Sequence, residues 1–467
     1  MSKFDDIKVP DNIDEVTKNA ISMGIKYKSQ KKYRKIIVAS IASITIGISV
    51  VGIGVLNPAI ADSIPMIQKI IDYFKLNNES LYKSDKSDLE KTGTDVNLTT
   101  EDKEIELTID SISIDDNYMT IFHTVKTDKD IKKIDKVYED AYVANPIVSA
   151  YIGDENITPS GFVEHEARYI SDHELKGMRK IDVSGIDIKN NTEIELRVDE
   201  IFGIEGNWSV FTNIDKTKSE SKTYNYNINK DFIVNQTYDY NNKKIDIKHN
   251  INIEKVTISP LANKITVNEK PTIKFDDWTP MMGNSFALFD ENNQALDVID
   301  QGGSGVNPKT GIATNSIEFL KANKNTKSLI LVPIAFDESI EDYELEPQSI
   351  NNLPIVFETS KYGKLVVEDI KVTDKEIRYT YYKDGVVPYY TNLWFYDEEG
   401  NEIQVSSSVK ESLDRHTGRY TTIRKLEGYD NDISSIRKIS KVSIFNDSSM
   451  KLLYDQQIKI DLKNNQK

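Results

Sequence analysis

Five histidines, His123, His165, His173, His249 and His416, have the widest chemical range of any side chains in this 467-residue sequence. Imidazole serves as acid, base or metal ligand near neutral pH. None of the five sits in an HExxH pattern. The densest group is Glu164-His165-Glu166 followed by Asp172-His173-Glu174, a mixture that suits zinc; the expectation is instead a polar loop between strands. Gln301-Gly302-Gly303-Ser304-Gly305 lacks the Lys-Ser/Thr of a phosphate-binding loop and reads as a hairpin loop. The acidic turns at Asp290-Glu291 and Asp397-Glu398-Glu399-Gly400 lack the alternating ligands of an EF-hand and read as solvated β-turns. There is no G-x-S-x-G nucleophile elbow. Cysteine is absent, which excludes disulfides, a thiol nucleophile and thiolate zinc. No catalytic, cofactor-binding or metal-binding residue is assigned, and the chain is not expected to be an enzyme.

The elements around these residues are organised by Ile36 to Leu56, a stretch with no charge and no proline. About 20 apolar residues in a helix cross the ~30 Å hydrocarbon core of a bilayer. Lys26, Lys28, Lys31, Lys32, Arg34 and Lys35 precede it, whereas Asp62, Lys69, Asp72 and Lys75 after it are balanced. The positive-inside rule then places residues 1–35 in the cytoplasm and the long remainder outside the cell. A cleaved signal peptide ending at Pro58-Ala59-Ile60-Ala61 is the competing reading. The long leader and long apolar run favour an uncleaved anchor. Ala39, Ser43 and Gly47 recur every four residues, a pattern that lets two spans pack as a homodimer.

In the tail, Pro10 and Asp11-Asn12 form a helix-start signal. Ile13, Val16, Ala20, Met23 and Tyr27 then follow at spacings of three and four, an apolar stripe on an amphipathic helix. So short a helix is marginal alone in water. The stripe is expected to bind a partner protein in preference to the membrane surface, because the tail begins acidic. The formal net charge is −16, while the first 35 residues hold nine Lys/Arg against five Asp/Glu. The exterior is therefore acidic, which argues against direct nucleic-acid binding.

Residues 57–95 read as a helical juxtamembrane segment. From Val96 the apolar period changes to two, as in Ile105, Leu107 and Ile109, with Asn, Asp and Gly clusters between strands. Three signatures recur in the same order. A strand–turn–strand occurs at 112–121, 256–267 and 370–379. A strand running into an acidic turn occurs at 150–156, 287–293 and 393–400. A late strand occurs at 193–198, 328–333 and 441–445. A mostly β exterior of three tandem immunoglobulin-like sandwiches is predicted over 96–222, 223–358 and 359–467. Gly206-Asn207-Trp208-Ser209-Val210-Phe211 is expected to anchor the first core, with Trp208 and Val210 on one face and Ser209 and Phe211 on the other.

The Pro10-led helix ending at Met23-Gly24-Ile25, the basic run, the span, Asn57-Pro58-Ala59-Ile60-Ala61-Asp62-Ser63-Ile64-Pro65 and the Gly206–Phe211 strand together resemble a family of Firmicute single-pass membrane proteins. These hold extracytoplasmic-function sigma factors inactive and carry an extracellular domain of unknown function. The resemblance covers about Pro10 to Phe211. It implies sigma-factor capture by the tail through Ile13, Val16, Ala20, Met23 and Tyr27, with the exterior sensing a signal. The zinc-bearing anti-sigma type is a poor fit, since its His-x3-Cys-x2-Cys is absent. A surface-anchored adhesive or wall-binding protein is the alternative.

Overall fold

Alternation of Ile, Val, Leu, Thr and Tyr with charged residues makes strands that are apolar on one face or on both. The structure, a computed structural model, describes residues 86–462 apart from 135–145, 159–164, 241–242, 272–285, 304–305, 308, 321, 323–324, 338, 388–390 and 427. The tail, the 36–56 stretch and the contact residues Ile13, Val16, Ala20, Met23 and Tyr27 lie outside the described residues. Among the described residues no helix is long and apolar enough to cross a membrane. Contacts divide the chain between Pro58 and Ala59, and every described residue falls in the second body. Its fold is mostly β, built from several antiparallel sheets.

Helix α1 (Lys86–Thr92) buries Leu89, and the Thr92 hydroxyl meets that of Ser113 at 2.6 Å. The helix ends there because Gly93, Thr94 and Asp95 already pair with Ser113, Ile112 and Ser111. Of the helical segment expected over 57–95, residues 57–85 lie outside the described residues, and β1 already begins at Gly93.

The first module contains β1 (Gly93–Asp102), β2 (Ile105–Ile114), β3 (Tyr118–Thr127), β4 (Ser149–Ile152), β5 (Glu155–Asn156), β6 (His165–Ser171), β7 (Glu174–Asp182), β8 (Glu193–Ile201) and β9 (Ile204–Asn213). One sheet has the order β1-β2-β3-β7-β6 and the other β5-β4-β8-β9. Ile109 and Ile121 from the first sheet share a core with Leu196 and Trp208 from the second.

The second module contains β10 (Lys222–Tyr240), β11 (Lys243–Ile258), β12 (Asn263–Pro271), β13 (Phe286–Asp290), β14 (Ala295–Leu296), β15 (Val298–Gly303), β16 (Ala313–Phe319) and β17 (Ser328–Phe336). After β17, as β9 follows β8, comes β18 (Gln348–Ser349), and the third module contains β19 (Ile355–Ser360), β20 (Gly363–Val372), β21 (Glu376–Gly385), β22 (Trp394–Tyr396), β23 (Ser408–Asp414), β24 (Arg419–Lys425) and β25 (Lys441–Ser443). Last come β26 (Met450–Leu452) and β27 (Ile458–Asp461). The five-stranded sheets, β10-β11-β12-β16-β15 and β19-β20-β21-β24-β23, repeat the order of the first module. The three sequence signatures land on matching strands: β2–β3, β11–β12 and β20–β21; β4, β13 and β22; β8, β17 and β25.

The matching strands share a defect. Register slips by one residue at Asp110 on β2, at Glu254 on β11 and at Glu368 on β20. Each slip is a β-bulge, which bends the strand and re-aims a side chain. The bulged residue is acidic every time, within Leu107-Thr108-Ile109-Asp110, Ile251-Asn252-Ile253-Glu254 and Leu365-Val366-Val367-Glu368. Each carboxylate takes a local donor: Thr124 Oγ1 at 2.7 Å for Asp110, Asn268 Nδ2 at 2.8 Å for Glu254 and Arg419 Nε at 2.6 Å for Glu368. Burial pushes the Asp110 carboxyl up to about 6, against the pull of Lys176 and Thr124.

The second sheets are completed differently. In the first module β9 follows β8 directly and covers its outer edge. In the second, the far edge of β17 is covered by β26 and β27, which arrive more than a hundred residues later. In the third, β25 is flanked by β22 and by β18, which precedes the module's first long strand. The second and third modules have thus exchanged closing strands, and the chain crosses between them twice. A division at residue 358 does not separate them in space. Ile458, Ile460 and Leu462 lie in the core of the second module, and burying each apolar side chain is worth about 1.5–3 kcal/mol.

Trp208 on β9 is fully buried, and its Nε1–H donates to the Ile105 carbonyl at 2.7 Å. Val210 shares its face, whereas Phe211 is 60% exposed. A Cβ at Gly206 would lie 2.4 Å from the indole ring, so only glycine lets the ring lie across the backbone there. Trp208→Ala is expected to cost about 3–5 kcal/mol, and Gly206→Ala about 1–3 kcal/mol through overpacking. Urea unfolding of the purified chain, followed by far-ultraviolet circular dichroism, measures both. Unshifted midpoints would remove this anchor from the account.

Candidate functional site

The acid–histidine runs do not converge. His165 opens β6 and His173 lies in the turn beyond its far end, so about 3.3 Å per residue puts them some 20 Å apart. His173 is exposed, with its Nδ1 3.0 Å from the Lys129 carbonyl. Glu164 lies outside the described residues. Among the described residues no three His, Asp or Glu side chains are grouped to hold a metal ion. His249 is buried in β11 against Glu269 of β12, at 2.5 Å.

The acidic turns are self-satisfied. Asp290 accepts the N–H groups of Asn292 and Gln294 at 2.8 and 2.9 Å. Asp397 accepts both the side-chain amide and the N–H of Asn401, which hold its carboxyl below the usual range. Both carboxylates close hairpins. Gln301 uses its amide to bond the backbone of Phe286, tying β15 to β13 across the module, and Gly302–Gly303 simply end β15.

The charged side chains that do converge lie at the seams between modules. At the first seam, the β2–β3 turn of module one meets the β11–β12 turn of module two. The buried Asp115 carboxylate accepts N–H groups from Asn117 and Tyr118 of its own turn, at 2.7 and 2.9 Å, and from Leu261 of the next module at 2.8 Å. Asn117 donates to the Ala262 carbonyl at 2.8 Å. Lys264 pairs with Asp182, and Lys216 with Asp116 at 2.5 Å.

Glu318 on β16 joins all three modules. Its Oε2 accepts the Tyr118 hydroxyl of module one at 2.7 Å, and its Oε1 accepts Arg415 of module three at 2.6 Å. Burial alone would raise this carboxyl. The charges of Lys180 and Arg415, with the bonds from Arg415 and Tyr118, outweigh burial and hold it down to about 2. Lys180 and Lys264 both lie over the Tyr118 ring, at 3.9 and 5.1 Å from its centroid.

Next to it, between modules two and three, is a cavity of about 250 Å³ lined by Phe286, Leu296, Asp297, Lys383, Val386 and Val387 among others. Asp297 accepts the Tyr420 hydroxyl at 3.1 Å and lies 3.6 Å from Lys383 Nζ. Burial and the Asp297 charge drive the Tyr420 phenol far upward, so it stays a donor. Asp297 is thus met by fixed donors, an arrangement that holds the two modules in place.

Sequence reasoning missed Glu318, Arg415, Asp297 and Lys383. The available signal was a charge inside an apolar run, as in Ile317-Glu318-Phe319-Leu320 and Leu296-Asp297-Val298. Such a charge is expensive to bury without a partner.

Two family models match the chain. One is a domain of unknown function (DUF4179) over residues 28–127, ending with β3. The other is a family of unknown function (DUF5643) over residues 229–359, from β10 to β19. No curated protein matches. A solved structure, the conserved domain protein from Bacillus anthracis, is similar at 15% identity with a TM-score of 0.35, over 55% of this chain and 83% of that one.

Replacing Glu318 by Gln leaves Arg415 buried without its counter-charge, which is expected to cost about 3–5 kcal/mol. The wild-type carboxyl ionises more readily folded than unfolded, so its contribution is present above its ordinary 4.5 and is lost as pH falls toward about 2. The gap in urea midpoint between wild type and Glu318→Gln should therefore be wide at neutral pH and clearly narrower near pH 3. A gap of undiminished width at the lower pH would assign the cost to shape and not to charge.

Proposed function

We propose that this chain is a membrane-bound anti-sigma factor with one span. Its cytoplasmic helix sequesters an extracytoplasmic-function sigma factor through Ile13, Val16, Ala20, Met23 and Tyr27. Its extracellular β modules sense a signal. The observation that carries the reading is the order of parts in the sequence: an amphipathic stripe, a basic run, an uncharged 21-residue stretch, then a large acidic β-rich remainder. The DUF4179 match supports it, since that domain is known in anti-sigma-factor-like proteins and here begins in the basic run. The paired charges at the seams support a non-catalytic exterior. Ala39, Ser43 and Gly47 offer the span a face for homodimerisation.

We also read the exterior as three immunoglobulin-like sandwiches in tandem. In support, β2-β3-β7-β6 facing β4-β8-β9 has the strand order A-B-E-D against C-F-G, with β1 as an added edge. The matching orders and the shared acidic bulge extend the reading to the other two modules.

Charged substitutions on the stripe test the proposal. Ile13→Asp with Val16→Asp is expected to raise transcription from the sigma factor's promoter by tenfold or more, on the estimate of about 1.4 kcal/mol per decade. A promoter reporter in cells carrying the full-length chain reads this. Unchanged repression at equal protein level rejects the stripe's role. Co-purification of wall components with no sigma factor would favour the adhesive alternative.

A further inference from the structure

The two chain crossings between modules two and three run side by side. Residues 337–345 lead out of β17, and residues 444–449 return toward β26. They are joined by Leu345 N–H to Ile444 O at 2.9 Å, Asn446 N–H to Tyr343 O at 3.0 Å and Asp337 N–H to Ser449 O at 2.9 Å. Asp342 on the outgoing crossing accepts the N–H and hydroxyl of Ser449, at 2.9 and 3.0 Å. Asp447 lies on the returning one, and its N–H donates to Thr359 O of β19. Its side chain is 0% exposed, and neither carboxylate oxygen has a hydrogen-bond partner.

A fully buried carboxylate with no donor costs far more ionised than protonated. The charged groups facing Asp447 are Asp342 across the crossing and Lys383 from β21. Lys383 is already beside Asp297, at 3.6 Å. Asp337, at the mouth of the crossing, is paired with Lys451. We propose that this crossing is a proton-operated clasp: with Asp447 protonated the exchanged strands are held shut, and its ionisation next to Asp342 loosens β26 and β27 from β17. This is a property of the extracellular modules and stands apart from the anti-sigma reading.

Burial, with the Asp342 charge, pushes the Asp447 carboxyl up from 3.8 to about 7. Between those values the folded crossing keeps a proton that the opened chain releases. The closure is therefore fully stabilised below about pH 4, weakens as pH rises, and reaches its loosest state above about pH 7.

Hydrogen–deuterium exchange of the purified full-length chain tests this. Protection factors, corrected for intrinsic rates, are read on peptides covering 328–336 and 444–462. Wild-type protection should fall on the order of tenfold or more from about pH 5 to about pH 8. Asp447→Asn, an isostere that cannot ionise, should keep the acid-side protection at both. Asp342→Asn should move the fall to lower pH. A flat wild-type profile, or the same fall in Asp447→Asn, overturns the proposal. So does recovery of wild-type protection at about pH 8 by calcium alone, which would make Asp447 a cation ligand.

Discussion

An uncovered sheet edge is the constraint on which this architecture turns. Unpaired N–H and C=O groups along an edge invite foreign strands, and the core beneath stays wet until something covers it. Each module builds a central strand, β8, β17 or β25, that needs a neighbour on its far side. The first module finds that neighbour in the next segment of chain. The second and third obtain theirs from each other. Ile458, Ile460 and Leu462 bring an apolar face into a core begun more than a hundred residues earlier. The exchange makes two modules interdependent where a simple tandem array would leave them separable.

The charges follow the seams. The seams bury charged side chains, between modules one and two as well as between the two joined by crossings, and a charge buried in a seam must be met there. Glu318 meets Tyr118 and Arg415. Asp297 meets Tyr420 and Lys383. Asp115 meets three backbone N–H groups. These carboxylates orient modules and hold them in register. Asp447 is the exception in this set, and its lack of a donor coincides with the place where the chain changes modules.

The acidic bulge repeated at Asp110, Glu254 and Glu368 shows how one backbone device tolerates different surroundings. Its geometry is set by the register slip, which depends on where the apolar residues flanking the acid must point. The donor is free to vary, from a threonine to an asparagine to an arginine. The carboxylate is buried in the first module and exposed in the second, with the same bend in the strand.

Period-two alternation was enough to read a β-rich fold from the sequence, and the recurring order of three signatures marked matching strands, because both are local consequences of which face of a strand is dry. Trp208 was legible as a core anchor for the same reason, whereas the need for glycine at 206 was not. The acidic turns were legible as turns, since Asp290 and Asp397 bond their own loops. The exchange of closing strands was not, because strand pairing carries no local mark of which distant segment supplies the partner. The seam carboxylates were hidden likewise: Glu318 looks like one charge among many until folding brings Tyr118 and Arg415, about two hundred residues before it and a hundred after, to its two oxygens. Composition and periodicity determined what each segment would bury. Which segments would bury it together was decided only by the tertiary structure, where the cost of an open edge or an unpaired charge is settled between residues far apart in the chain.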